Sequence, residues 1–175
     1  MILLTVGTEQ FSFHRLVAAV DELAAARSLD VFGQIGSSSH EPRAFPFERL
    51  VPFERMRALL DAATHVICHA GAGTTLLAIA AGHKPIVLPR RQRFGEHVDD
   101  HQVLFAERLA ERELVALASD EHQLGELLTC APRRGAPRPE GSGADALCEH
   151  LFASVARAAD LRRNAPAEPE RRRAA

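Results

Sequence analysis

Residues 65–102 read HVICHAGAGTTLLAIAAGHKPIVLPRRQRFGEHVDDHQ, and their order decides the fold. Residues 65–69 are a short run with β-branched members, Gly71 to Gly73 is a glycine-flanked turn, and Thr74 to Ala81 is an apolar helical run stopped by Gly82. Lys84 to Pro89 is a second strand of the buried type. It empties into a polar loop carrying Glu96, His97, Asp99, Asp100, His101 and Gln102. Strand, turn, helix and strand in that order form a βαβ unit with parallel strands and a right-handed crossover.

In an open parallel sheet the ligand crevice lies outside the carboxyl ends of the strands, so the turn at 71–75 and the loop at 90–102 leave from the same edge. One ligand can touch both. The turn offers backbone N–H groups at the positive end of a helix, with the Thr74 and Thr75 hydroxyls beside them, which suits a phosphate or diphosphate. The loop offers carboxylates, imidazoles and an amide, which suit sugar hydroxyls.

The same alternation extends outward. Ile2 to Val6 is a continuous apolar run, as in a central parallel strand, and it ends at Gly7-Thr8-Glu9 on the ligand edge. Ser12 is placed to cap a helix whose Leu16, Val17, Val20, Leu23 and Ala24 recur at helical spacing. Asp30 to Ile35 and Glu48 to Phe53 are predicted strands, and Met56 to Ala63 a helix leading into residues 65–69. Val103, Ala106, Leu109 and Ala110 mark another helix, Leu114 to Ala118 a last strand and Glu121 to Leu128 a last compact helix. About six strands alternating with helices make a doubly wound, mostly parallel α/β domain over residues 1–130.

Composition bounds the rest. The 175 residues are 46% hydrophobic and 25% charged with a net charge of −2, which fits one soluble core and gives no general affinity for nucleic acid. Tryptophan and tyrosine, the usual stacking residues of single-strand binders, are absent. Cys68, Cys130 and Cys148 are odd in number and widely spaced, indicating neither a disulfide framework nor a zinc ribbon and fitting a reducing compartment. No apolar run approaches the ~20 residues of a membrane span, nor does the N-terminus read as a signal peptide. Residues 131–143 are expected to be a flexible linker rich in proline, glycine and arginine. Residues 144–163 carry an amphipathic helical stripe through Leu147, Leu151, Val155, Ala158 and Leu161, and 164–175 a disordered tail.

Three chemistries compete for the polar positions. Gly71-Ala-Gly73-Thr-Thr-Leu76 has two glycines of a dinucleotide fingerprint but Leu76 where the third belongs, and no Gly-Lys-Thr/Ser follows as a Walker loop requires. His97 and His101, four apart, would share one face of a helix as metal ligands, but the glutamate of zinc proteases is missing and no third ligand is obvious beyond the adjacent aspartates, so no metal and no cofactor are expected. A nucleotide-sugar site remains.

Here the residues carry a resemblance. TVGT at Thr5 to Thr8, HAGAGT at His69 to Thr74, GHKPIVLPR at Gly82 to Arg90 and GEHVDDHQ at Gly95 to Gln102 resemble glycosyltransferase family 28, C-terminal half. More narrowly they resemble the small catalytic subunits of bacterial exopolysaccharide glycosyltransferases, which are similar to the catalytic subunit of the eukaryotic dolichol-linked N-acetylglucosaminyltransferase. The resemblance covers Met1 to about Leu128 and implies the Rossmann-like C-terminal half of a GT-B enzyme.

By that resemblance, Gly7 and Thr8 border the diphosphate, Phe53 closes the third strand beside the base, and Gly71, Ala72, Gly73, Thr74 and Thr75 hold the phosphates. Glu96, Asp100, His101 and Gln102 belong to the loop facing the donor sugar, the last three reading its hydroxyls. Arg90 is a candidate to neutralise diphosphate charge, and His69 to contact phosphate, to assist catalysis or to make a buried structural hydrogen bond. Related enzymes often carry a ribose-gripping glutamate about where this chain has Leu77. The resemblance further implies a UDP-sugar donor, a polyprenyl-linked acceptor and a membrane-anchored partner glycosyltransferase subunit, which is a candidate source of the general base. The expected activity is hexosyl or uronosyl transfer in exopolysaccharide or capsule synthesis, by a cytoplasmic chain recruited to the inner face of the membrane. A non-catalytic nucleotide-sugar-binding regulator is the alternative, and a metal-dependent hydrolase the third reading.

Overall fold

The computed structural model describes residues 1–131 of the chain; the predicted linker, the 144–163 helix and the tail lie outside the described residues. Six strands, β1 (Ile2–Thr5), β2 (Val31–Gln34), β3 (Phe47–Glu48), β4 (His65–Cys68), β5 (Ile86–Val87) and β6 (Ala116–Leu117), form one sheet in the order β3-β2-β1-β4-β5-β6. Every pairing is parallel. The strand order reverses between β1 and β4, which makes their carboxyl ends the switch point where a ligand crevice opens.

Between the strands run α1 (His14–Arg27), α2 (Phe53–Ala62), α3 (Ala72–Ala80), α4 (His101–Glu111) and α5 (Leu124–Cys130). Because successive strand residues point to opposite faces, Ile2 and Leu4 pack with Leu16, Val17 and Val20 of α1 and Leu124 of α5 in one core. On the other face Cys68 comes to 4.0 Å from the Thr75 hydroxyl of α3, so this helix covers that side of β4. Burial pushes the Cys68 thiol up to about 12, leaving it an inert core residue.

Several boundaries differ from the sequence reading: α3 opens at Ala72 inside the expected turn, and β5 and β6 shorten to two residues each. The third strand is only Phe47–Glu48, and Phe53 opens α2 instead of closing the strand. Pro52 is the reason: it cannot donate to a β ladder, and its fixed φ suits the approach to a helix. Ser12 does not cap α1, which begins at His14; its hydroxyl takes the Ser39 N–H at 3.0 Å. Helix α4 begins at His101, two residues before the apolar stripe.

Asp21, buried on α1, pins the connection between β2 and β3. Its carboxylate accepts from the Ala44 N–H at 2.8 Å, His40 Nε2 at 2.8 Å and the Arg43 N–H at 3.0 Å. Burial alone would raise the Asp21 pKa. The Ala44 N–H, His40 and the Arg43 N–H outweigh it and hold the group below its ordinary value. A depressed folded-state pKa stabilises above the unfolded value and that contribution is lost as pH falls through the folded one. Asp21→Asn is therefore expected to be less stable than wild type at neutral pH and to lose less on acidification below pH ~4, as urea melts at the two pH values would register.

Candidate functional site: the carboxyl edge of the sheet

The site is built where β1, β4 and β5 end. Gly7 follows β1 with φ +76°, in the left-handed region that glycine adopts without strain. Gln34, at the end of β2, fixes this turn from both sides. Its Oε1 accepts the Gly7 N–H at 3.1 Å and the Thr5 hydroxyl at 2.6 Å, while its Nε2 donates to the carbonyls of Gly7 at 2.7 Å and Arg49 at 3.1 Å. Thr8 and Glu9 then stand exposed.

After β4 the His69 ring is wedged between two glycines. A Cβ on Gly7 would lie 2.6 Å from its Nε2, and one on Gly71 only 2.0 Å from the same atom. The ring is 4% exposed, and its Nδ1 has no hydrogen-bond partner among the described residues. Burial, the Arg90 charge and His97 push its pKa down to about 3, against the pull of the Thr5 carbonyl. The enclosed imidazole fills the space between the two glycine turns and so fixes how closely they approach.

Helix α3 begins directly above this ring. Gly71 is its N-cap, no side chain caps it, and no acidic residue sits in its first turn. The Thr75 N–H is already bonded to the Gly71 carbonyl at 3.0 Å, so the amides that face outward are those of Gly71, Ala72, Gly73 and Thr74. Ala72 and Gly73 are exposed. Thr75 departs from the sequence reading: it is wholly buried, and its hydroxyl donates to the His69 carbonyl at 3.3 Å, tying the helix to the strand end.

The loop after β5 shares this rim and is anchored inward. Arg90, predicted to meet diphosphate, is 1% exposed; its guanidinium donates to the carbonyls of Val6 at 2.9 Å, Phe11 at 2.9 Å and Glu96 at 3.2 Å and lies 4.7 Å over the Phe13 ring. It splints three loops from within, and burial lowers its pKa to about 10 against the pull of Glu96 and Glu9. Its charge reaches the crevice only as a field. Glu96 is likewise turned inward. It is buried and pairs with Arg15 of α1 through two bonds of 2.9 Å, while its Oε2 also takes the Arg91 N–H at 2.9 Å.

Of the remaining positions, Asp100 and His101 are exposed. The Asp100 carboxylate accepts the Gln92 N–H at 2.8 Å, and the His101 ring meets Asp99. Gln102 is buried with its oxygen on the Arg90 N–H at 3.3 Å, which leaves its amide NH2 as the donating end. Phe53 and Leu50 are exposed beyond β3. The sequence reading missed Gln34 and Arg15; the one available signal was a polar side chain at the end of an apolar strand and an arginine on the ligand side of an apolar helix.

The arrangement can accept an anion on uncapped amides beside a rim of hydroxyl-binding groups. Comparisons with known proteins bear on the fold and the family. Glycosyltransferase CalG4, the calicheamicin glycosyltransferase, superposes with a TM-score of 0.54 at 19% identity over 94% of this chain. The glycosyltransferase SnogD from Streptomyces nogalater gives 0.49 at 19% identity over 91% of this chain. This chain spans 43% of the length of each. No curated protein sequence matches it. The family model for the glycosyltransferase family 28 C-terminal domain matches residues 1–134, and the chain belongs to that family.

Proposed function

We propose that this domain binds the UDP-sugar donor of a glycosyltransferase and transfers a hexose or uronic acid to a polyprenyl-linked glycan in exopolysaccharide or capsule synthesis. The observation that carries the reading is the uncapped start of α3, with the outward amides of Gly71 to Thr74 at the switch point and the Asp100–Gln102 segment on the same rim. In the reaction the acceptor hydroxyl attacks the anomeric carbon, the bond from that carbon to the diphosphate breaks, and UDP departs with the bonding pair. The α3 amides and helix dipole stabilise the charge that develops on the leaving diphosphate. Asp100, His101 and Gln102 orient the sugar, and Gly7, Thr8 and Phe53 border the diphosphate and the base.

In this reading the proton of the acceptor hydroxyl goes to a base on a second, membrane-anchored subunit that carries the acceptor. No helix among the described residues is long and apolar enough to cross a membrane, so recruitment to the inner membrane face through that subunit belongs to the proposal. Leu77, at the position where a ribose-gripping glutamate was expected, favours a second reading in which the domain binds nucleotide sugars without turning them over.

Calorimetry tests the proposal. UDP is expected to bind with micromolar affinity irrespective of chelator, and Thr74→Ala to weaken it about tenfold, through loss of one charge-assisted hydrogen bond. Absence of UDP binding ends both readings. Turnover of a lipid-linked acceptor once the membrane subunit is added distinguishes transferase from regulator.

A further inference from the structure

His97, Asp99 and His101 are gathered so that one ligand-capable atom of each lies within 4.8 Å of the others. The segment is not helical before His101. Bends fold it so that the two imidazoles meet edge to face, with centroids 4.6 Å apart at 83°. Both rings turn Nδ1 toward the same carboxylate oxygen, Asp99 Oδ1: His101 in direct contact, His97 at 3.7 Å. That second distance is too long for a hydrogen bond. His97 Nδ1 is buried and without a hydrogen-bond partner among the described residues, while the Phe11 ring 5.5 Å away backs the imidazole. A buried nitrogen left unpaired is costly, and here it faces two further donors of the kind metals take.

We propose that His97, Asp99 and His101 bind a divalent transition-metal ion of the zinc, cobalt or nickel class. Two imidazoles with one carboxylate suit those ions, whereas magnesium and calcium favour all-oxygen sites. Three protein ligands leave a coordination position open to solvent or to a ligand oxygen. The metal site stands apart from the donor reading. One consequence rests on that reading: because His101 also faces the sugar, ion and sugar contend for one imidazole.

The test uses the full chain without an affinity tag. Cobalt binding is followed by visible absorption and zinc by competition, with magnesium as the hard-ion control and no nucleotide present. One equivalent is expected at micromolar affinity. His97→Ala and Asp99→Asn should each weaken it at least about tenfold, since even changes outside the ligand shell cost that much, while His65→Ala leaves it unchanged. Asp99→Asn preserves shape, and thermal melts of each variant confirm folding. Absence of saturable cobalt binding, unaltered affinity in both ligand variants, or equal competition by magnesium overturns the proposal. UDP-sugar titrations with and without zinc then read the competition: weaker sugar binding with unchanged UDP binding supports it, and equal sugar affinity overturns that consequence without touching the metal result.

Discussion

Gly71→Ala is expected to weaken UDP binding on the order of 100-fold and to cost about 1–3 kcal/mol of stability. The added Cβ would fall 2.0 Å from His69 Nε2. The ring has no room to yield, because Gly7 closes on its other side, where a Cβ would stand at 2.6 Å from the same atom. What must move is the backbone of the turn, and its N–H groups are the ones proposed to hold the diphosphate. The backbone torsions of Gly71, φ −74° and ψ 127°, are ordinary for alanine, so the effect is steric and not conformational. Combining the change with His69→Ala removes the obstacle, and the double variant should be less destabilised than the sum of the singles by about 0.5–3 kcal/mol. Additive stabilities, or unaltered UDP affinity in Gly71→Ala, would contradict this account of the turn.

Arg90→Met should lower stability by about 3–5 kcal/mol, because the Val6, Phe11 and Glu96 carbonyls all lose a donor in a place closed to water. That corresponds to a fall in melting temperature of roughly 10–20 °C for a domain of this size. Arg90→Lys is expected to rescue little of it. An ammonium on a flexible stem cannot span three carbonyls as the planar fork does, nor stack on Phe13 in the same way. Melts of both variants at one pH decide the matter, and a shift of less than about 3 °C in Arg90→Met would mean the carbonyls find other partners.

Much of the architecture was legible because periodicity and glycine placement are local signals. The βαβ unit around Gly71, the strand count and the parallel pairing all follow from apolar runs ended by glycine or polar residues. The direction in which a polar side chain points is not a local signal. Thr75 and Thr74 are adjacent in sequence, yet one lies in the core and the other at the rim, since neighbours on a helix point about 100° apart. Arg90 and Glu96 read as ligand groups because they stand in a polar loop at the right edge. Their partners, Val6, Phe11 and Arg15, are between 79 and 84 residues away in the chain for the contacts that fix them, and only the folded sheet brings them together. The third strand was overextended because Leu50 and Val51 are apolar, and they proved to belong to the connection leading into Pro52.

The outermost strands, β3 and β6, are two residues long each. Such stubs present few unpaired N–H and C=O groups, so another chain finds almost no template on which to extend the sheet. The fold is thereby guarded against edge-to-edge aggregation at both flanks. Among the described residues, a stable association with a second protein is then favoured through helices or loops, by side-chain complementarity and not by continuing the ladder.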